Sequence, residues 1–111
     1  MIDLRSDTVT KPCKNMLQAM CSAPLGDDVL RDDPTILRLE EYIADVLNKE
    51  DALFVPSGTM ANQIAIWLHS KKGSCVAVEK DSHIYNYEAS APALLSAVRL
   101  KPIAGERGHG H

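Results

Sequence analysis

Ile36, Leu39, Ile43, Val46 and Leu47 recur three and four positions apart, which predicts one apolar face of a helix ending near Asn48. The start of that helix is equally plain. Asp33 suits an N-cap, and Pro34 fits the first helical position, where a missing N–H costs nothing. Met16, Leu17, Met20 and Cys21 predict a shorter helix from Lys14 to Ala23, stopped by Pro24 and Gly26. An acidic loop, Gly26 to Asp33 (GDDVLRDD), separates the two. Ala52 to Val55 (ALFV) and Cys75 to Val78 (CVAV) are short apolar runs that predict buried strands. Pro56-Ser57-Gly58 turns the chain, and a helical pattern runs from Thr59 to Lys71, terminated by Gly73. Asp81 or Ser82 can cap a further helix through His83 to Glu88, and a weak apolar stretch beyond Pro92 leads to a third strand at Val98–Ile103. Residues 2–10 alternate weakly and predict an extended arm. Strand and helix in this order indicate an α/β domain with a largely parallel sheet.

Composition narrows the partners. The 111 residues suffice for one ordinary domain, with 45% apolar and 24% charged residues, the balance of a soluble globular chain. A net charge of −3 and 5% aromatics provide neither the basic footprint nor the stacking platform of a nucleic-acid binder. The longest dense apolar stretch, Ile64 to Leu68, is too short for a bilayer span, and the N-terminus does not read as a secretory signal. Cys13, Cys21 and Cys75 form no CxxC pair or disulfide framework, which favours a reducing, cytoplasmic compartment. The closing GERGHGH, residues 105–111, predicts a disordered tail, in which His109 and His111 could hold a metal only weakly.

The best local site is Val55-Pro56-Ser57-Gly58-Thr59. A strand candidate there runs through a tight turn into a helix N-terminus, where free N–H groups and the helix dipole favour an anion. Small residues let a phosphate approach, although Ser57 serves equally well as a plain helix cap. The segment is neither a GxxxxGK[ST] loop nor a GxGxxG turn. His83 follows the strand at 75–78 and falls at the strand's carboxyl end, the edge where open α/β sheets bind ligands. Tyr87, four residues on, shares its helical face, while a structural or surface histidine remains the alternative. Asp27, Asp28, Asp32 and Asp33 lack the spacing of a calcium loop and read as a solvated loop with one N-cap, so no metal site is expected. No Ser–His–Asp set can be assigned.

The segments IDLRSDTVTKP, GDDV followed by DDPT, LFVPSGTMANQIA and DSHIYNYEA stand in the order and spacing of the low-specificity L-threonine aldolases, which the chain resembles from residue 2 to about 103. That resemblance implies a lyase that uses pyridoxal 5'-phosphate (PLP) and has the aspartate-aminotransferase-like fold (fold type I). Residues 1–25 would then be the N-terminal arm and helix, and 26–104 the first part of the large domain, its sheet incomplete. Gly58 and Thr59 would hold the PLP phosphate, with Ser57 supporting the turn. His83 would stack on the pyridine ring near the substrate's β-hydroxyl, as candidate base. Ser6 would bind the substrate carboxylate, and Tyr87 would help line the pocket. The implied reaction is retro-aldol cleavage of L-threonine or L-allo-threonine, a β-hydroxy-α-amino acid, to glycine and acetaldehyde. The resemblance also implies a homotetramer with shared sites, in which the acidic loop would approach a neighbouring subunit.

Two departures stand out. Leu30-Arg31 occupy the place of the family's usual Tyr-Gly, and Ser90 replaces the glycine of Glu-Ala-Gly. No lysine of the chain stands in the context of the family's cofactor lysine, so the chain alone is expected to be inactive, with an open sheet edge and uncovered apolar helix faces. A non-catalytic fragment that docks with full-length subunits, a different PLP-dependent β-eliminating lyase, and a small phosphate-binding domain are the competing expectations.

Overall fold

The computed structural model describes residues 2–105. The chain divides into two compact units, Met1–Phe54 and Val55–His111. Residues 106–111, with most of the expected tail and both its histidines, lie outside the described residues.

In the first unit the arm carries one 3-10 turn, Asp7–Val9, and leads to α1 (Lys14–Ser22), none of whose residues is buried. α2 spans Pro34–Leu47. Asp33 caps it as its position suggested, with Oδ1 accepting the N–H groups of Thr35 and Ile36 at 2.9 Å each. Asn48 ends α2 in the left-handed region (φ 50°), which asparagine tolerates, and its N–H reaches the Ala44 and Asp45 carbonyls. The residues of α2 that become buried are Glu40 and Ala44, while Leu39, Val46 and Leu47 of the apolar stripe stay exposed.

The loop between α1 and α2 closes on itself. The Arg31 N–H donates to the Asp28 carbonyl at 3.0 Å, and the Asp32 N–H donates to the Asp27 carbonyl at 3.1 Å. Arg31 sits at φ 57°, a conformation that suits glycine, the residue usual there in the resembling family. Its guanidinium is tied to buried Glu40 at 2.7 Å, and the opposite oxygen of Glu40 accepts the Phe54 N–H at 2.7 Å. Arg31→Gly and Arg31→Ala both lose that ion pair, but only alanine keeps a Cβ in the left-handed region. The glycine variant is expected to be the more stable of the two by about 1 kcal/mol, and urea unfolding of both checks it.

In the second unit α3 (Gly58–His69) leads through a turn to β1 (Cys75–Glu79), α4 (His83–Asn86), α5 (Ala91–Ser96) and β2 (Arg99–Ile103). The strands pair in parallel, Cys75 opposite Arg99 and Glu79 opposite Ile103. Arg99 donates to the Ser74 carbonyl, and the Ile103 carbonyl accepts from Lys80. The odd-numbered residues of β2 therefore face β1, and Pro102 turns its missing N–H to the open edge, where it costs no ladder bond. Ile66, Val78, Val98 and the fully buried Pro92 make the small core.

Four sequence expectations need correction, one of them the helix expected through Glu88, which ends as α4 at Asn86. Ala52–Val55 is not a strand: an extended segment becomes one only with a ladder partner, and the Phe54 N–H goes to a side chain instead. α3 ends at His69, two residues early, where Ser70 Oγ donates to the Ile66 carbonyl at 2.6 Å; Gly73 (φ 81°) belongs to the following turn. The weak apolar stretch contains α5, whose second position is Pro92, a residue tolerated in a first helical turn.

Candidate functional site

The turn before α3 forms because Ser57 takes extended backbone and caps the helix, its Oγ accepting the Met60 N–H at 3.1 Å. Ala61 completes the first full turn by donating to the Ser57 carbonyl at 3.1 Å. The N–H groups of Gly58 and Thr59 have no partner among the described residues and lie at the positive end of a twelve-residue helix. Ser57 is thus a helix cap, and the two N–H groups left open are those that follow it. A Cβ added at Gly58 would meet no neighbouring atom within 4 Å, so there is open space beside this residue.

His83 opens α4, just beyond the carboxyl end of β1. The elbow that carries it is fastened by Asn86, whose amide donates to the Lys80 carbonyl at 2.8 Å and the Ser82 carbonyl at 3.1 Å. Ser82 is the N-cap by position, but its hydroxyl makes no capping bond. The imidazole is largely exposed, and its centroid lies 5.3 Å from the Tyr87 ring, tilted by 39°. On its inner side Nδ1 lies 3.0 Å from Glu88 Oε1.

Glu88 is the hub that sequence reading missed. Its side chain is wholly buried. Asn62 Nδ2 donates to Oε1 at 2.7 Å, and Gln63 Nε2 donates to Oε2 at 2.6 Å. Burial opposes ionisation of this carboxyl most strongly, yet its hydrogen bonds from Asn62, His83 and Gln63 hold it below the usual carboxylate range. Asn62 lies four residues after Gly58, about 6 Å along the helix axis. One carboxylate oxygen therefore joins His83 to the first turns of α3. The signal in the sequence was two adjacent amides, Asn62 and Gln63, inside an otherwise apolar helix.

The structure thus joins His83, Tyr87 and α3, with its Ser57–Thr59 start, within the second unit. Ser6 lies in the first unit, its Oγ accepting from the Thr8 hydroxyl at 2.9 Å and the Thr8 N–H at 3.2 Å. Ser90, in place of the glycine usual in the resembling family, has φ −99° and needs no glycine; Ala89 beside it takes φ 51°. Cys13, Cys21 and Cys75 are free and exposed. Among the described residues no helix is long and apolar enough to cross a membrane.

Residues 3–110 match the family described as beta-eliminating lyase. The chain is 48% identical over 103 residues to the low specificity L-threonine aldolase of Escherichia coli K12, covering 93% of this chain and 31% of that protein. It is 48% identical over 106 residues to a probable low-specificity L-threonine aldolase 2 of Arabidopsis thaliana, covering 95% and 30%. It is also 37% identical over 107 residues to the alanine racemase TOXG of Cochliobolus carbonum, covering 96% and 28%. The chain spans about a third of the length of these curated relatives.

Proposed function

Since the chain belongs to the beta-eliminating lyase family, we propose that it serves PLP-dependent retro-aldol cleavage of L-threonine or L-allo-threonine to glycine and acetaldehyde, within the fold-type-I architecture of such enzymes. The observation that carries this reading is the helix terminus at Gly58–Thr59, with two N–H groups unpartnered among the described residues and open space beside Gly58, linked through Glu88 to an exposed imidazole. The residues present fit the phosphate end of the cofactor. The Gly58 and Thr59 N–H groups and the Thr59 hydroxyl would hold the dianion, while Ser57 keeps the turn closed.

Bound there, PLP supplies an electron sink for the bond that breaks. His83, its Nδ1 turned to Glu88, offers Nε2 to the substrate's β-hydroxyl and takes its proton. Tyr87 confines the imidazole from one side. Ser6 binds the substrate carboxylate, and the loop 26–33 faces a neighbouring subunit of a cytoplasmic homotetramer. The apolar residues left exposed on α1, Met16, Leu17 and Met20, support an assembled state.

The test measures acetaldehyde and glycine released from L-threonine with added PLP. It compares the chain alone with the chain joined to the remaining two-thirds of the Escherichia coli relative. Cleavage by the joined protein alone is expected, and His83→Ala lowers its kcat by about 10²–10⁴-fold, the range of a positioned proton transfer. A soluble, PLP-loaded joined protein that racemises alanine and leaves threonine intact would move the chain to the chemistry named for its Cochliobolus relative.

A further inference from the structure

We propose that Glu88 is a positioning residue for His83: its buried carboxylate fixes the proton of the imidazole on Nδ1, so that Nε2 faces outward as an acceptor. The inference rests on the reading of His83 as the proton acceptor, yet its geometry stands independently of any bound group. Glu88 Oε1 lies 3.0 Å from Nδ1, within hydrogen-bond reach. An ionised carboxylate only accepts, so the contact is attractive only when Nδ1 carries the hydrogen.

The carboxylate is itself immobilised. Asn62 and Gln63, consecutive on α3, hold its two oxygens at 2.7 Å and 2.6 Å, and no part of its side chain reaches solvent. Glu88 therefore sets two quantities together: which ring nitrogen carries the proton, and where the ring stands relative to the helix whose first turn is the Gly58–Thr59 terminus. A proton arriving on Nε2 would leave a cation whose far N–H already points at a buried negative charge, an arrangement that stabilises the charged ring as it forms. Asn62 and Gln63 act one step further back, by orienting the carboxylate.

The decisive measurement is a long-range ¹H–¹⁵N correlation spectrum of the histidine rings of the full chain, taken without PLP at about pH 9, where imidazoles are neutral. His83 is expected to show a protonated Nδ1 and an unprotonated Nε2. Glu88→Met removes the acceptor at similar volume and should shift the proton to Nε2 or average the two nitrogen shifts. A wild-type ring protonated on Nε2 would overturn the proposal, and that reading holds even if Glu88→Met fails to fold. A folded Glu88→Met protein whose His83 keeps its proton on Nδ1 would overturn it as well.

A second readout separates positioning from plain stabilisation. In the joined protein Glu88→Met lowers kcat by about tenfold or more, and adds nothing further once His83 is alanine. Additive losses would mean that Glu88 acts other than through His83. Absence of aldol cleavage altogether would defeat the proposed function and leave the ring spectrum to decide the role of Glu88.

Discussion

A methyl group added at Gly26 is expected to destabilise the first unit by about 3 kcal/mol, at the upper end of overpacking costs. Its Cβ would stand 2.3 Å from the Asp32 carbonyl oxygen and 2.6 Å from both the Asp32 carbonyl carbon and the Asp33 Cα. These are backbone atoms, so no side chain can swing aside. The loop is closed around this point: the Gly26 N–H donates to Asp33 Oδ2 at 3.1 Å, and the Asp27 N–H donates to the Asp32 carboxylate. Asp33 also caps α2, so opening the loop disturbs the helix start that the same carboxylate satisfies. Gly58→Ala should do the reverse. Its Cβ meets open space at the first position of α3, so stability should stay within about 0.5 kcal/mol of wild type, as for substitutions away from packed features. In the proposed phosphate site the added carbon would stand where backbone comes close to the anion, and affinity for PLP in the joined protein should fall about tenfold. Urea unfolding of both variants and an absorbance titration with PLP separate the two glycines. A Gly26→Ala chain as stable as wild type would mean that the loop relaxes freely.

What the sequence discloses, and what it conceals, follows from the range of the interactions. α2 is legible to the residue because its cap, its proline and its apolar period all lie within fifteen positions of one another. The Ser57–Gly58–Thr59 terminus and the position of His83 after β1 are local in the same sense. Ala52–Val55 misleads because strand composition is local while a strand partner is not, and the Phe54 N–H finds Glu40, fourteen residues back, instead. α5 escapes notice because six residues with a buried proline make no readable amphipathic period. Glu88 is hidden for the same reason as the missing strand partner. Its meaning depends on Asn62 and Gln63, 26 and 25 residues away, which no spacing rule connects. The two departures from the resembling family's pattern look alike on paper and differ in the fold. Arg31 occupies a left-handed position that glycine would fill without cost, whereas Ser90 stands at an ordinary φ.

Glu88→Leu is expected to destabilise the second unit by about 3 kcal/mol at neutral pH, because it strands buried amide donors and replaces no bond that it removes. Gln63 would be affected most, since its Oε1 already has no partner among the described residues and Nε2 would lose its own. Replacing Asn62, Gln63 and Glu88 together by leucine should recover much of the loss, because the cost comes from unpaired groups rather than from the absence of a charge. Acid provides the second arm of the test. The hydrogen bonds to Glu88 hold its carboxyl below the ordinary glutamate value of 4.5, so the stabilisation is fully present above that pH and is lost as pH falls through the lower native value. The gap between wild type and Glu88→Leu should therefore be widest near neutrality and narrow below about pH 4.5, with wild type moving and the variant comparatively flat. Urea midpoints of both proteins across that range measure it. A gap that stays constant into acid would show that the carboxylate charge contributes nothing beyond shape, and would remove the electrostatic reason for placing the His83 proton on Nδ1.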